Sequence, residues 1–500
     1  MKYCLLTGAT GLLGRYLLRY LLPRDVPLAV LIRGNRTATA RQRLETVLIE
    51  LETQLQRSLP RPVLLTGDLS SSGLGLSHEE RSWVRRRVDS VLHNAASLTF
   101  ENGAPDEEPW KTNLTGTRLL LEATRDWGIR RFHHVSTAYV CGQRRGRVTE
   151  QQLDLGQAFG NDYEHSKLRA EQLVREADWL DAPTIYRPAI IVGDSGTGYS
   201  NTFHGFYTPL RIVHMLIQSV TDQLVTGDSL VQILGLNGSE SKNLVPVDWV
   251  ATVIGHLFCD PQHHGLVYHV TPEERTPVSQ LCEVMERAVR DFSLRQGQSS
   301  DTSGRALGGL TLDSFLRAFH DKMLVYQAYW RDDPQFDATH RWQHAEHLPC
   351  PPLTTEILYR LCKFAVEANF WTSRGDRVQP AIDVNEVCSQ FGHAISDPTS
   401  TPVQDLVQLR VTGCGGGDWA VRVFGSQPLT AEPGVISDVH LIASLNTQTL
   451  RDLVTQRTSL EQATRQGRIC LENCPRPLSE VRSVLENIFA RIANSSASLI

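Results

Sequence analysis

A tyrosine and a lysine four positions apart, Tyr163 and Lys167, are the side chains of this sequence best suited to acid–base chemistry. On a helix, two residues with this spacing share one face. A nearby ammonium favours the phenolate and lowers the pKa of the phenol. Such a phenol can donate a proton to a carbonyl oxygen that receives a hydride, or remove one in the reverse direction. Because the same spacing occurs on ordinary solvated helix faces, the interpretation depends on the surrounding residues.

A threonine at the end of a predicted strand supports this interpretation. The run from Val135 to Tyr139 follows a β-rich segment and supplies Thr137, whose hydroxyl could hydrogen-bond the same carbonyl oxygen. Lys167 could also reach the ribose beside a nicotinamide ring. We therefore predict that Thr137, Tyr163 and Lys167 are catalytic, and that Tyr163 and Lys167 also contact the cofactor.

Glycines cluster in a turn near the start of the sequence, between a predicted strand and a predicted helix. Glycine there lets the backbone turn tightly and approach a pyrophosphate, which sits at the positive end of the helix. The spacing is Gly-x-x-Gly-x-x-Gly, for which a simple tight turn is the alternative. The predicted cofactor contacts in this turn are Thr7, Gly8, Thr10, Gly11, Leu12, Leu13 and Gly14.

Basic residues follow the second predicted strand, where an NAD-binding sequence would favour an acidic one. Arg33 ends that strand and Arg43 lies on the helix after it. A planar guanidinium matches the 2′-phosphate of NADP, so we predict NADP(H) as the cofactor. A solvated basic loop is the alternative. Further cofactor contacts are predicted after later strands, at Asp68, Leu69, Asn94, Ala95 and Pro188.

The elements that must position these residues alternate between strands and helices. Among them, strands are predicted at 3–7, 63–66, 88–93 and 184–192, a helix at 113–127, and a linker later in the sequence at 372–380. This pattern predicts an α/β fold with a doubly wound parallel sheet, covered by helices on both faces. A helical, aromatic-rich segment follows, and the last part of the sequence has an α+β pattern. The predicted domains are a cofactor-binding domain at 1–275, a helical substrate region at 276–372 and a separate α+β domain at 380–495.

Composition and charge argue against several classes of protein. Hydrophobic residues make up 41% of the sequence and the net charge is −5, which argues against a nucleic-acid-binding polycation. No secretory signal or membrane-spanning stretch is expected, and the ten scattered cysteines suggest reduced thiols in a cytoplasmic protein. We predict no metal site, although four potential ligands have suggestive spacing: His340, His344, His347 and Cys350.

Jointly, these motifs resemble the extended short-chain dehydrogenase/reductase superfamily, whose nucleotide-binding domain has a Rossmann fold. The resemblance covers about the first 270 residues of the sequence. It implies that Tyr163 is the catalytic acid/base, Lys167 its partner and Thr137 the assisting hydroxyl, and it makes Asn113 a candidate for a proton relay. Many relatives have serine where Thr137 stands, and the hydroxyl role survives that difference.

Within the superfamily, the sequence is most similar to thioester reductases and fatty acyl-CoA reductases. The residues that carry this likeness are Arg33 with Arg43, His134 to Gly142 and Arg187 to Asp194. The resemblance implies reduction of an acyl thioester, bound to coenzyme A or to a carrier, by NADPH to an aldehyde and, with a second hydride, to an alcohol. An aromatic loop after these motifs could line the substrate channel or belong to the core. Its candidate substrate contacts are Phe203, His204, Phe206 and Tyr207.

The end of the sequence resembles sterol-carrier-type lipid-binding domains. The matching runs are 415–423, 438–441, 450–453 and 463–469. The resemblance implies an apolar tunnel for an acyl chain, whereas a small domain with a filled core is the alternative. Two other functions stay open: a sugar-nucleotide epimerase or dehydratase on the same fold, and a lipid-binding protein that only senses NADPH.

Overall fold

The structure is a computed structural model, and it describes residues 2–35, 38–100, 103–219, 231, 236–295, 329, 331–371, 405–412, 416–424, 427–434, 439–472 and 478–495. The predicted linker at 372–380 and most of the predicted helical stretch before residue 331 lie outside these residues.

Helices and strands alternate through the first part of the chain, as predicted. The helices are α1 (Leu12–Leu21), α2 (Ala40–Leu55), α3 (His78–Arg87), α4 (Thr117–Trp127), α5 (Asp162–Glu176), α6 (Tyr207–Ser219), α7 (Val247–Cys259), α8 (Val278–Arg295), α9 (Thr339–Ala345), α10 (Thr355–Glu367), α11 (Thr447–Val454), α12 (Leu460–Arg465) and α13 (Leu478–Ser495). The strands of the first part are β1 (Tyr3–Thr7), β2 (Leu28–Ile32), β3 (Val63–Thr66), β4 (Val88–His93), β5 (Arg131–Val135), β6 (Arg147–Val148), β7 (Asp181–Pro188), β8 (Ile190–Val192), β9 (Ser241–Lys242), β10 (Leu244–Pro246), β11 (Val267–Val270), β12 (Thr276–Pro277) and β13 (Gln335–Phe336).

Seven of these strands form one parallel sheet in the order β11-β7-β5-β4-β1-β2-β3, which confirms the predicted doubly wound α/β class. All five residues of β2 are buried, as expected for a strand covered on both faces. The strand order reverses between β1 and β4. In open α/β sheets, ligands bind beyond the carboxyl ends of the strands at such a reversal.

Two predicted elements are divided in the structure. The expected strand from Thr184 to Val192 becomes β7 and β8, because Pro188 has no N–H to continue the ladder. β8 pairs instead with β10. The expected helix from 113 to 127 begins with a π-helical turn, Lys111–Gly116, before α4. Such turns are frequent at functional sites.

The described helices of the middle region share one apolar core. Side chains of α6, α8 and α10 form this cluster, and Phe206 and Tyr207 belong to it. Among the described residues, no helix is long and apolar enough to span a membrane, and no cluster of three or more potential ligands could hold a metal ion.

A second, five-stranded mixed sheet lies at the end of the chain, as predicted. Its strands are β14 (Asp405–Thr412), β15 (Gly417–Phe424), β16 (Gln427–Pro433), β17 (Leu441–Asn446) and β18 (Ile469–Glu472), in the order β16-β15-β14-β17-β18. Side chains from one face of this sheet pack with α11, α12 and α13 in an apolar cluster.

The chain divides into two compact units. One contains residues 21–66 together with 375–500, and the other contains 2–20 and 67–374. This division differs from the predicted domain boundaries, which remain a prediction. The first unit thus joins β2, α2 and β3 to the carboxyl-terminal sheet.

Candidate active site

The turn between β1 and α1 has the geometry of a dinucleotide-binding turn. Gly8 has a positive φ of 70°, and a side chain there would meet the backbone of Ala95 at 2.7 Å. A side chain at Gly14 would overlap the carbonyl oxygen of Gly8. The backbone therefore approaches so closely at Gly8 and Gly14 that a side chain at either position would overlap it. The turn leads directly into the first turn of α1. These residues fit the pyrophosphate of a dinucleotide at the switch between β1 and β4.

Thr7 connects this turn to the end of β4. Its hydroxyl oxygen accepts hydrogen bonds from the backbone N–H groups of Asn94 and Ala95, both at 3.1 Å. The Asn94 side-chain amide donates to the carbonyl oxygen of Gly8 at 3.2 Å. The predicted contacts at Thr7, Gly8, Asn94 and Ala95 are thus brought together at one end of two adjacent strands.

His93, which the sequence interpretation did not single out, extends this network. Its Nδ1 lies 2.8 Å from the Thr7 hydroxyl and its Nε2 lies 3.0 Å from the Thr117 hydroxyl. Burial, together with the charge of Lys167, lowers the pKa of His93 to about 3, so the ring is neutral. Because the Thr117 hydroxyl donates to the carbonyl oxygen of Asn113, we assign the proton of His93 to Nε2. Thr7 then donates to Nδ1.

The predicted catalytic side chains meet at the carboxyl end of β5. The Tyr163 hydroxyl is hydrogen-bonded to Thr137, and Lys167 Nζ donates to the carbonyl oxygen of Val135 at 2.8 Å. The Thr137 hydroxyl lies 3.4 Å from the carbonyl oxygen of Pro188. Lys167 and Thr137 are buried, whereas Tyr163 is partly exposed. The three side chains thus lie at the end of one strand, with the Tyr163 hydroxyl desolvated and next to that of Thr137.

The electrostatics of this group differ from the expected picture. Burial raises the pKa of Tyr163 to about 12, although the Thr137 hydrogen bond lowers it. Burial also lowers the pKa of Lys167 to about 8, against the opposing effect of Glu171. The expected lowering of the Tyr163 pKa does not occur, because desolvation outweighs the Thr137 hydrogen bond; the charged group that shifts this pKa is Glu164, which raises it.

The Lys167 pKa predicts the pH dependence of activity. We expect kcat/KM for coenzyme-dependent reduction to be level below pH 8 and to fall about tenfold per pH unit above it, as the ammonium loses its proton. Tyr163 stays protonated over this range. The measurement is a pH–rate profile from pH 6 to 10. In Lys167→Arg the charge persists, so the alkaline decrease should disappear; a wild-type rate that rises through pH 10 would contradict this assignment.

Asn113 lies in the π-helical turn beside the catalytic group. Its side-chain amide donates to Ser166 Oγ at 3.0 Å and to the carbonyl oxygen of Ser97 at 3.2 Å. Its Oδ1 accepts from the backbone N–H of Ser97 at 2.8 Å. The side chain therefore ties α5 to the loop after β4, and its role in a proton relay remains a prediction.

A buried ion pair between α5 and β7 is hydrogen-bonded to Ser136, the residue that follows β5. Glu171 and Arg187 are fully buried, with Arg187 Nη2 2.7 Å from Glu171 Oε1. Ser136 Oγ donates to Glu171 Oε2 at 2.7 Å. Burial opposes the charge of Glu171, but the Arg187 guanidinium and these hydrogen bonds hold the pKa of Glu171 to about 2. The Ser136 hydroxyl is therefore engaged in a hydrogen bond to Glu171. The hydroxyl beside Tyr163 is that of Thr137.

The predicted phosphate-binding arginines lie in the unit that contains β2 and α2. Arg43 Nη1 donates to the carbonyl oxygen of Arg33 at 2.6 Å. Burial, with the nearby charge of Arg33, lowers the pKa of Arg43. The two arginines therefore lie close together, and their binding of a 2′-phosphate remains a prediction. In the other unit, Asp68 Oδ1 accepts from the N–H and hydroxyl of Ser70, at 2.9 and 2.8 Å. Leu69 lies against Gly116.

The predicted substrate loop is mainly part of the core. Phe206 and Tyr207 are buried, and Phe203 packs on Tyr207 with ring centroids 5.1 Å apart. The Tyr207 hydroxyl accepts from the backbone N–H of Gly193 at 2.9 Å. His204 is exposed. The structure thus favours core packing for Phe206 and Tyr207, and a substrate role for Phe203 and His204 remains a prediction.

Two aromatic residues that sequence reasoning missed lie beside the catalytic tyrosine. The ring of Phe100 is 5.2 Å from that of Tyr163 and 5.9 Å from that of Tyr329. Asn161 Nδ2 donates to the Tyr329 hydroxyl at 3.2 Å. Phe100 and Tyr329 therefore form an aromatic group next to the Tyr163 ring. Tyr329 is distant in sequence from every motif, so no local signal could have identified it.

A comparison with known protein families gives a match in the amino-terminal half of the chain. Residues 6–254 match a family described as male sterility protein. This segment contains the glycine turn, Thr137, Tyr163 and Lys167. The match supports the predicted resemblance of the amino-terminal half to extended short-chain reductases of the thioester reductase type.

Curated relatives align with the same half of the chain. The chain is 34% identical over 293 residues to a component of linear gramicidin synthase from Brevibacillus parabrevis. It is 28% identical over 303 residues to the large subunit of L-2-aminoadipate reductase from Penicillium chrysogenum. Each alignment covers 56% of this chain but only 5% and 20% of the respective relative. The chain therefore spans at most a fifth of the length of these two proteins.

A solved structure shares the fold over a longer stretch. The terminal R domain from the myxalamid PKS-NRPS biosynthetic pathway superposes with a TM-score of 0.57 and 24% sequence identity. The similarity covers 75% of this chain and 93% of that domain. The structural similarity therefore covers a larger share of this chain than the family match at residues 6–254.

Proposed function

We propose that the protein uses NADPH to reduce an acyl thioester, carried on coenzyme A or on a carrier protein, to an aldehyde. The observation that carries this proposal is the hydrogen bond between Tyr163 and Thr137, with Lys167 on the same helix, near the switch between β1 and β4 where a dinucleotide-binding turn lies. The similarity to L-2-aminoadipate reductase supports a reductase. A second hydride would reduce the aldehyde to an alcohol.

The chain's own residues provide binding, orientation and a proton. When bound, the nicotinamide ring supplies a hydride to the thioester carbon. Tyr163 donates its proton to the carbonyl oxygen, and Thr137 hydrogen-bonds the same oxygen. The Lys167 ammonium orients the ribose and stabilises the phenolate that remains. The resulting hemithioacetal loses its thiol to give the aldehyde, and a proton from solvent returns to Tyr163 through a relay in which Asn113 is proposed to take part. Phe100 and Tyr329 limit the access of water to this step.

Product identification tests this proposal. The protein would be incubated with NADPH and a mixture of acyl-CoA and acyl-carrier thioesters, and products identified by mass spectrometry. We expect NADPH oxidation with formation of an aldehyde or alcohol. In a parallel incubation, nucleotide sugars replace the thioesters. NADPH that stays reduced with every thioester, together with conversion of a nucleotide sugar in the parallel incubation, would instead support the epimerase function.

Coenzyme preference follows from the two arginines. If Arg33 and Arg43 bind the 2′-phosphate, Arg43→Gln should raise the Kd for NADPH by about tenfold or more, since a charge-assisted phosphate contact is lost. The Kd for NADH, which lacks this phosphate, should change less than twofold. Quenching of protein fluorescence measures both constants. Equal weakening of NADPH and NADH would contradict the assignment of the phosphate site.

We further propose that the carboxyl-terminal sheet and its helices bind an acyl chain, as the resemblance to sterol-carrier domains implies. The boundaries we propose remain 1–275 for the reductase, 276–372 for the helical region and 380–495 for this domain. A fluorescent fatty acid titrated into the full-length protein should show saturable binding. Absence of saturable binding would remove the lipid-binding proposal and leave the reductase proposal unaffected.

A further inference from the structure

A charged layer lies between α2 and the outer face of the carboxyl-terminal sheet. The alternate residues Val407, Leu409 and Val411 of β14 point into the apolar cluster with α11, α12 and α13. The intervening residues, among them Arg410 and Thr412, point to the opposite face and are nevertheless buried. Because a buried polar face needs partners for its polar groups, another element of the chain must cover it.

Helix α2 and the segment after it provide this cover. Arg41, in the first turn of α2, forms an ion pair with Asp418 of β15. Arg61 Nε donates to the Thr412 hydroxyl at 2.9 Å, and Arg61 also pairs with Glu52 of α2. All of these residues belong to the unit that joins residues 21–66 to 375–500.

The covering face of α2 is acidic and buried. Glu45 and Glu52 lie four and eleven positions after Arg41, so the three share one side of the helix. Glu45 is 4% exposed and Glu52 is 9% exposed. On the β18 side, burial raises the pKa of Glu472, and Arg410 lowers it. Burial raises the pKa of Glu45 to about 8, so this carboxyl is protonated at neutral pH. The ionic contacts of the layer are the Arg41–Asp418 and Arg61–Glu52 pairs.

The same first turn of α2 carries a phosphate-binding arginine on its other side. Arg43 is two positions after Arg41, so the two side chains leave the helix in nearly opposite directions. Arg41 is held by the sheet, and Arg43 donates to the carbonyl oxygen of Arg33. A shift of this turn would move Arg43 relative to Arg33.

We propose that Asp418 is a positioning residue for coenzyme specificity: by holding Arg41, the carboxyl-terminal sheet fixes the turn of α2 that presents Arg43 to the 2′-phosphate. This inference rests on the proposed NADPH function. The coupling is reciprocal: if the contact with the sheet favours NADPH binding, NADPH binding must stabilise that contact by the same free energy. NADPH should therefore stabilise the carboxyl-terminal sheet, and NADH should not.

Binding measurements on Asp418→Asn test the proposal. We expect the Kd for NADPH to rise about fivefold or more, which is the lower end of usual coupling between sites, while the Kd for NADH changes less than twofold. The matched control is Glu432→Gln. It removes the 2.6 Å Arg422–Glu432 pair from the same sheet, on strands β15 and β16, and should leave both constants unchanged.

Arg43→Gln separates failure of this inference from failure of the proposed function. If Arg43→Gln reduces NADPH affinity but Asp418→Asn does not, the inference is overturned and the proposed coenzyme remains. If Arg43→Gln does not raise the Kd for NADPH more than that for NADH, Arg43 does not bind the 2′-phosphate, and the proposed phosphate site is wrong. Equal weakening of NADPH and NADH by Asp418→Asn would also overturn the inference, because it would indicate a general structural effect.

Hydrogen exchange of the unmodified protein gives a second test that does not depend on a variant folding. At matched saturation, NADPH should slow amide exchange in β14 and β15 more than NADH does. Equal protection by the two coenzymes, or none by either, would overturn the proposal.

Discussion

Replacing Tyr163 by phenylalanine should lower kcat for thioester reduction by about 10²- to 10⁴-fold, the usual contribution of a positioned general acid. The phenol is the group of this cluster that is both partly exposed and hydrogen-bonded to Thr137. NADPH binding should change by less than about threefold, because the glycine turn and the arginines are untouched. Stopped-flow oxidation of NADPH and equilibrium titration measure the two effects.

Two controls distinguish loss of the proton donor from general damage. Tyr268→Phe removes the hydroxyl of another buried tyrosine, which donates to the carbonyl oxygen of His263 at 2.7 Å, and should leave kcat nearly unchanged. Thr137→Ser keeps the assisting hydroxyl and should retain most activity, whereas Thr137→Val should not. A Tyr163→Phe protein that turns over at the normal rate would disprove the assigned acid/base role.

Replacing Arg187 by methionine should lower the free energy of unfolding by about 3 kcal/mol, the lower end of the usual cost of breaking a buried pair, because Glu171 would lose Arg187 and keep the partly exposed Arg175 as its ion-pair partner. Arg187 also donates to the carbonyl oxygen of Gln152 at 2.9 Å. The pKa of Glu171 in the folded state, about 2, is lower than the usual unfolded value near 4.3. Its stabilising contribution is therefore present above pH 4.3 and is lost as the pH falls toward 2.

Urea unfolding followed by tryptophan fluorescence measures this loss of stability. The matched control is Asp181→Asn, which removes the exposed 2.7 Å pair of Asp181 with Arg130 on the same strand, β7, and should cost less than about 1 kcal/mol. Combining Arg187→Met with Glu171→Leu should recover part of the lost stability, since the buried carboxylate that lost Arg187 is then removed as well. A single Arg187→Met change that costs under about 1 kcal/mol would contradict this account.

Local sequence patterns predicted the strands of the amino-terminal half well. β1, β3 and β4 have the predicted bounds, because parallel strands buried on both faces appear as short apolar runs between helices. The spacing of Tyr163 and Lys167 and the hydroxyl of Thr137 are likewise local features. The carboxyl-terminal α+β pattern was also recognisable from its alternating strands.

The features that the sequence did not predict depend on partners distant along the chain. Glu45 and Glu52 have the appearance of a solvated helix face, and only the carboxyl-terminal sheet explains their burial. Tyr329 lies beside Phe100 only because the chain returns to the site. The pKa of Tyr163 was predicted in the wrong direction because desolvation depends on every neighbour, whereas the spacing identified one.

The contact of Arg61 with Thr412 has a practical consequence for work with truncated forms. Limited proteolysis or separate expression of a reductase fragment ending before β14 would expose to water the acidic side of α2 and leave Arg61 without its hydroxyl partner. Such a fragment is expected to bind NADPH weakly even with every catalytic residue intact. Poor turnover by such a fragment would therefore reflect the loss of the contacts between α2 and the carboxyl-terminal sheet, rather than a defect in the proposed catalytic residues.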